Sequence, residues 1–453
     1  MGTSIAFYTK LSKRSKEHKL VIFYSYFVLA IAVITSFFLA GSYFSSIEKY
    51  LWPDQQWIFI CAAALWALWV WISDVINKTT DAYGLTVQSE KARIGQKVFA
   101  ICMILGLFLL NSLNLTTLFI YHYVILLLLC LLWIKVLKNN EQSLWKTSNL
   151  SRNEIAAYGR EFYVYSSPLI VYSVVAFLAN IFDRWLLQKF AGSVEQGFFG
   201  LSYQMGAICF FFTGSMTPLI MREFSIAFSN KNIPLMKNLF RRYIPMLYSL
   251  VAFFACFMAV QANKLIHIFA GSHFTDAVLA VSIMSFYPIH QTYGQLSGSV
   301  FYATEQTSLY RNIGIVMMLL GIPVTYFLIA PKMAWGINAG ATGLAIKMVA
   351  LQFLTVNVQL YFNSRLLKFS FFWYLRHQIL SIGCLFILAY GASLSADHIL
   401  GLHSDMIIRL FLAGIFYSLL VIGLAYYFPT VFGMKRKDIQ SFIEICANKL
   451  RLS

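Results

Sequence analysis

The chain has 453 residues, of which 35 are lysine or arginine and 18 aspartate or glutamate, a formal net charge of +17. Only 12% of it is charged and 59% is hydrophobic, against roughly 25% charged residues in an ordinary soluble domain. That balance excludes a disordered, collagenous or nucleic-acid-binding chain and leaves an integral membrane protein.

Met1 to Lys19 is polar and basic. The apolar run that follows is too long for a signal peptide and has no small-residue cleavage site, so it is expected to stay in the membrane. A helix needs about 20 apolar residues to cross ~30 Å of hydrocarbon. By that ruler twelve spans are predicted, over 20–43, 57–76, 96–114, 117–136, 167–187, 196–221, 243–262, 276–302, 311–330, 336–360, 377–395 and 405–428. The fold class expected is an all-α polytopic membrane protein. The longest loop, near 137–166, carries the capping-box pattern Ser151 and Glu154, with Ile155, Tyr158 and Phe162 on one face. It reads as an amphipathic connector lying along the membrane. Beyond Lys435, the residues Ile439, Phe442, Ile443, Cys446 and Leu450 share one side of a basic helix, the pattern of an interfacial segment. The organisation expected is a four-helix lobe over 1–136, a linker over 137–165, a six-helix lobe over 166–360, two further helices over 361–430 and a basic tail over 431–453.

Positive charge fixes the orientation expected. Both termini and the loops after even-numbered spans hold 28 of the lysines and arginines, while the loops after odd-numbered spans hold five. Lys347 and Arg409 fall inside spans. An imbalance that alternates with every crossing is the positive-inside pattern, so both termini are placed in the cytoplasm, and no nucleic acid is needed to explain the charge. The seven cysteines are scattered without a C-x-x-C pair, which argues against a disulfide framework and a zinc site. No metal or cofactor is expected. The outer loops are short and leave no room for a catalytic domain.

An internal repeat is visible. Ser4-Ile5-Ala6-Phe7 returns as Ser225-Ile226-Ala227-Phe228, and Ala82-x-x-x-Thr86 returns as Ala303-x-x-x-Thr307, both at an offset of 221. Arg93 and Arg311 then each lead into another span. Spans 1–4 thus match spans 7–10, and parallel repeats of this kind build many transporters. Spans 5 and 6 have no earlier counterpart, so a first helix pair is expected to be missing, through a late start assignment or a real truncation; alternatively spans 5 and 6 are extra.

The segment Phe182-Asp183-Arg184-Trp185, then Gly192, then Gly197-Phe198-Phe199-Gly200-Leu201-Ser202-Tyr203, resembles the seventh-to-eighth helix junction of Wzx-type polysaccharide (O-antigen) flippases. These belong to the multidrug/oligosaccharidyl-lipid/polysaccharide (MOP) exporter superfamily, of MATE-like fold. Ile268-Phe269-Ala270-Gly271 with Phe274 and Ala277, Gly298 to Thr307, and Gly340-Ala341-Thr342-Gly343-Leu344-Ala345-Ile346 extend the resemblance over about 166–360. Glu305 departs from it, standing where the family often has glycine followed by lysine or arginine. The resemblance implies a two-lobed exporter in the bacterial inner membrane, not an enzyme. It would move undecaprenyl-diphosphate-linked oligosaccharide from the cytoplasmic to the periplasmic leaflet by alternating access. It also implies contact with membrane lipids, coupling to H+ or Na+, and polysaccharide polymerase and chain-length proteins as partners.

Candidate cavity residues follow, each with its plainer alternative. Lys347 sits near mid-span, where a charge costs at least ~2.5–3.5 kcal/mol, on a face with Gly340 and Gly343. It is either a diphosphate- or proton-binding group or a lysine paired with a buried carboxylate. Asp183 and Arg184, near the outer end of span 5, are cavity groups or an interfacial pair. His290, beside Pro288, titrates near neutral pH or serves as a hydrogen-bonding core residue. Asp74 lies in the inner third of span 2. Arg222, at the cytoplasmic end of span 6, meets the diphosphate or merely sets orientation. Tyr172, Tyr203 and Tyr287 stack on sugars or pack. Pro168, Pro218, Pro288 and Pro323 are candidate kinks. The rival functions are a drug or metabolite antiporter of the same superfamily, a membrane glycosyltransferase or polymerase on the same lipid carrier, and an inactive truncated paralogue.

Overall fold

The computed structural model describes residues 2–14, 17–44, 57–140, 150–214, 216–401, 405–434 and 436. The expected interfacial helix beyond Lys435 lies outside the described residues. Every regular element among the described residues is a helix, and ten of these helices are long and apolar enough to cross a membrane. The protein is a multi-pass, all-α membrane protein.

The chain divides into two compact units, Met1–Ser167 and Pro168–Ser453. The first opens with α1 (Gly2–Lys13) and α2 (His18–Phe44), followed by α3 (Trp57–Ala82), α4 (Thr86–Leu109) and α5 (Leu115–Asn139). The stretch read as a polar, basic start is a helix with a buried face: Ala6, Phe7 and Leu11 are at most 1% exposed, and α1 packs on α2 and α3. Phe7 stacks on Tyr24 at 4.3 Å. Residues from Arg152 begin α6 (Arg152–Ala207), whose course up to Ser167 belongs to the first unit. The capping box forms as expected: Ser151 N donates to Glu154 Oε2 at 2.9 Å and Glu154 N to Ser151 Oγ at 3.3 Å. Tyr158 and Phe162 are buried, but Ile155 is exposed. Ion pairs clamp this segment to the N-terminus, Lys10 and Arg14 on Glu161 at 3.0 and 2.7 Å and Lys19 on Glu154 at 2.5 Å, while Tyr158 donates to Glu17.

Two expected boundaries differ. The linker helix and span 5 share one helical assignment that includes Pro168, and spans 5 and 6 meet at a kink at Gly192 (φ 84, ψ −177). Glycine tolerates that backbone where a side chain would not. Span 8, read as a single helix, is broken. After α7 (Met216–Ser229), α8 (Ile233–Val260) and α9 (Ala262–Phe269), the chain forms α10 (Val278–Met284) and α11 (Tyr287–Ala303). The break at Ser285–Phe286 precedes Pro288 in the first turn of α11, where proline has no carbonyl partner to lose. Then follow α12 (Thr307–Ile329), α13 (Gly340–Leu367), α14 (Phe371–Leu400) and α15 (Met406–Tyr427).

The repeat read from the sequence recurs in the packing. Within the first unit α3 packs on α5 and α4 on α5; within the second α11 packs on α13 and α12 on α13. The turns joining α3 to α4 and α11 to α12 are the same turn. Tyr83 N to Thr79 O, Gly84 N to Asp81 O, Leu85 N to Thr80 O and Ser89 N to Leu85 O are matched, 221 residues on, by Thr304 to Val300, Glu305 to Tyr302, Gln306 to Phe301 and Tyr310 to Gln306. This is the Schellman pattern, which needs a left-handed residue after the helix. Gly84 supplies it at φ 81 and Glu305 at φ 62. Glutamate therefore holds, in the second turn, the conformation that glycine holds in the first.

Candidate functional site

Three helices of the second unit bring charge into its interior. Asp183 on α6 and Lys347 on α13 form an ion pair, and Thr325 on α12 donates to the free carboxylate oxygen, Asp183 Oδ1, at 2.7 Å. Asp183 and Lys347 are each 8% exposed and Thr325 is 0% exposed. A buried charge is stable only when paired and hydrogen-bonded, and here both carboxylate oxygens are used. The same Thr325 hydroxyl has an alternative acceptor one turn back, Gly321 O at 2.8 Å. Gly321 also makes room for the lysine: a Cβ there would lie 3.0 Å from Lys347 Cε and 3.1 Å from Leu351 Cδ1. The two strongest sequence candidates are thus partners, and Lys347 is not an unpaired cation in this conformation. Neither Thr325 nor Gly321 was signalled by the sequence, since threonine and glycine are ordinary residues of membrane helices.

A carboxylate also fixes the start of α13. Glu195 Oε2 accepts from Ala341 N at 2.6 Å, the place where a helix has unpaired N–H groups and a positive dipole end. Gly340, at φ 50, is required there, because a Cβ would come within 2.4 Å of the same oxygen. The glycine-rich run Gly340 to Gly343 is therefore a cap and close-packing device.

The tyrosines group into two clusters. Tyr203 and Tyr287 lie 6.2 Å apart, with Phe210 edge-on to Tyr287 at 6.5 Å. Tyr172 meets Tyr310 at 5.3 Å and Tyr310 meets Tyr302 at 5.0 Å. Gly314 seats Tyr172, whose ring would be 2.2 Å from a Cβ at that position. Tyr203 is 37% exposed, so one edge of the first cluster is accessible.

The remaining candidates lie elsewhere. Arg184 is exposed and rests over the Phe199 ring at 5.9 Å. Arg222 pairs with its neighbour Glu223 at 2.9 Å. Asp74 pairs one turn along its own helix with Lys78 at 2.5 Å and belongs to the first unit. His290 is buried on α11, its ring 5.1 Å from Phe353 and 6.1 Å from Tyr248. Asp81, a buried acid in the first unit, escaped notice because it sits at the α3 terminus, where an acid is unremarkable. Its Oδ2 lies 3.5 Å from Asn77 Nδ2. Among the described residues no three His, Cys, Asp or Glu side chains converge in a way that would hold a metal ion. A cavity of about 680 Å³ in the first unit is lined by Leu39, Phe59, Ile60, Leu115, Phe119 and alanines. Such a lining offers nothing to hold a sugar or a diphosphate.

No family model matches the chain, and no curated protein is similar to it in sequence. Its fold is nevertheless shared with solved transporters. An outward-facing multidrug-resistance MATE transporter of the MOP superfamily superposes with a TM-score of 0.64 at 13% identity, over 81% of this chain and 83% of that one. A MOP superfamily transporter from Pyrococcus furiosus, described as having a binding pocket of reversed polarity that suggests a different function, superposes with a TM-score of 0.62 at 14% identity, over 82% and 84%. A mutant form of the Vibrio cholerae MATE transporter VcmN gives 0.60 at 13% identity, over 81% and 84%.

Proposed function

We propose that the protein is an exporter that flips an oligosaccharide linked to a polyprenyl diphosphate from the cytoplasmic to the outer leaflet of a bacterial inner membrane. Both termini are cytoplasmic in this reading, as the lysine and arginine distribution requires. The observation that carries it is the pairing of Lys347 with Asp183. A cation–drug antiporter needs a buried carboxylate that is free to exchange its ion. Here the buried carboxylate of the second unit, Asp183, is neutralised by a lysine, and no metal-holding cluster exists among the described residues. A lysine held by a carboxylate is instead a stored anion receptor. When the helices carrying the pair separate, Lys347 exchanges Asp183 for the diphosphate, and Asp183 keeps its Thr325 hydrogen bond. In this reading Tyr203 and Tyr287, whose rings lie 6.2 Å apart, stack on sugar rings. No bond is made or broken in this work, so the reading is of a transporter and not an enzyme. The drug-antiporter reading keeps two supports, the fold shared with multidrug-resistance transporters and Asp81 in the first unit, a buried carboxylate that meets no lysine or arginine within ion-pair distance among the described residues.

The test is deletion of the gene with a leaflet-resolved assay of lipid-linked oligosaccharide. Complete units should collect on the cytoplasmic leaflet while surface polymer is lost. Complete units already outside would sink the proposal in favour of a polymerase, and unchanged lipid pools would favour a drug exporter.

A further inference from the structure

A second polar cluster lies inside the second unit, on helices α8, α11 and α14. Tyr248 is at its centre, with Tyr293 edge-on at 5.3 Å and the rings of His290 and His377 each at 6.1 Å. Tyr374 and Gln378 are within electrostatic reach of the Tyr293 hydroxyl. These side chains are at most 5% exposed. Yet the hydroxyls of Tyr248 and Tyr374 and Nδ1 of His290 make no hydrogen bond to any described residue, and the Tyr293 hydroxyl and the His377 ring meet only Gln378 and the Val431 backbone, neither in good hydrogen-bond geometry. Nearby polar groups are satisfied: Gln378 exchanges hydrogen bonds with Asn357 at 3.2 and 3.4 Å, and Ser297 bonds Gln359 at 3.1 Å.

Native interiors rarely tolerate one such orphan, and several converging on one place is a pattern with a physical cause. Each would forfeit its hydration without compensation in a dry core. The same unit shows the dry alternative. Tyr417, 1% exposed and stacked on Phe253 at 4.7 Å, sends its hydroxyl to the Phe253 carbonyl at 3.0 Å. We infer that the Tyr248–His290–Tyr293–His377–Tyr374 cluster is a built water site, holding ordered water molecules that supply the missing partners. Each buried water takes two to four polar partners, and the tyrosine hydroxyls and imidazole nitrogens provide both donors and acceptors. The consequence is a hydrated compartment on α8, α11 and α14, separate from the ion pair carried by α6, α12 and α13. The inference is independent of what the protein transports.

Two measurements on the full chain in lipid nanodiscs test it. Radiolytic hydroxyl footprinting labels side chains that touch bound water even when bulk solvent does not reach them. Tyr248, Tyr293 and Tyr374 should be labelled several-fold faster than Tyr417; labelling as slow as that of Tyr417 would overturn the inference. The second is a sign. Removing a hydroxyl that bonds water lowers stability, whereas removing a dry orphan raises it. Tyr293→Phe and Tyr374→Phe should therefore lower the midpoint of thermal unfolding, as should Tyr417→Phe, which loses the bond to the Phe253 carbonyl. A raised midpoint in both would show a dry cluster and overturn the inference.

Discussion

The two units contain one four-helix set twice, and the copies differ in how deeply they are buried. In the first unit the most apolar windows of α2, α4 and α5 are 17%, 11% and 22% buried; their counterparts α8, α12 and α13 are 56%, 28% and 33% buried. The second set is flanked by helices with no counterpart among the described residues of the first unit: α6 after Pro168, and the α14–α15 pair, with α14 packing on α8. Counting 221 residues back from the matched turn, Thr325 and Gly321 stand where the first copy has Ile104 and Ala100, while His290 and Tyr293 stand where it has Trp69 and Ile72. A charge or hydrogen-bonding group inside a membrane helix needs a partner from a neighbouring one. Asp183 is such a partner, and it comes from a helix outside the repeat. Both copies bury polar groups, Asp81 and Gln96 among those of the first, but the lysine–aspartate pair exists in the second because a helix outside the repeat supplies the acid.

Breaking the ion pair gives the largest effect. Lys347→Ala or Asp183→Ala alone leaves a buried, unpaired charge and should cost about 3–5 kcal/mol. The double change Lys347→Met with Asp183→Leu removes both charges together and should be near wild type, as read from thermal unfolding in detergent. Single variants as stable as the double one would show that the pair is solvated. Next is Gly314→Ala, which puts a Cβ into the Tyr172 ring and should cost about 1–3 kcal/mol by overpacking; adding Tyr172→Leu should recover most of it. In the first unit Ser151→Ala removes the capping hydroxyl of α6 and should cost about 1 kcal/mol, measurable as earlier proteolysis after the segment 141–149. Glu305→Gly should give the smallest change and the opposite sign. A left-handed residue with a side chain costs about 1–2 kcal/mol, and glycine gives back about 0.4–1 of that through the unfolded chain. A net gain near 0.5–1 kcal/mol is expected, whereas Gly84→Ala in the matching turn should destabilise.

Much of this was legible in the sequence. Apolar run length predicts twelve spans, against ten long apolar helices among the described residues, and the 221-residue offset located two turns that agree hydrogen bond for hydrogen bond. The separation of spans 5 and 6 agrees with the kink at Gly192 inside α6. What escaped reading depends on three dimensions. Pro288 follows a break in a run whose hydropathy is continuous. Lys347 stood out as a charge in mid-span, but its partner could not be chosen, since Asp183 lies 164 residues away. Thr325, Glu195 and His377 carry no signal until the helices beside them are known.

The account rests on Lys347 meeting a diphosphate, and the direct measurement is translocation by the purified protein in proteoliposomes. A fluorescent polyprenyl-diphosphate oligosaccharide would be placed in one leaflet, with the paired variant Lys347→Gln, Asp183→Asn as the comparison, since it keeps the shape of the pair without its charges. The account predicts flipping by the wild type and at least a tenfold loss in the variant, with the variant still folded. Equal flipping by both proteins, or wild-type protein that leaves this lipid in place while exchanging an organic cation for protons or sodium, would contradict it.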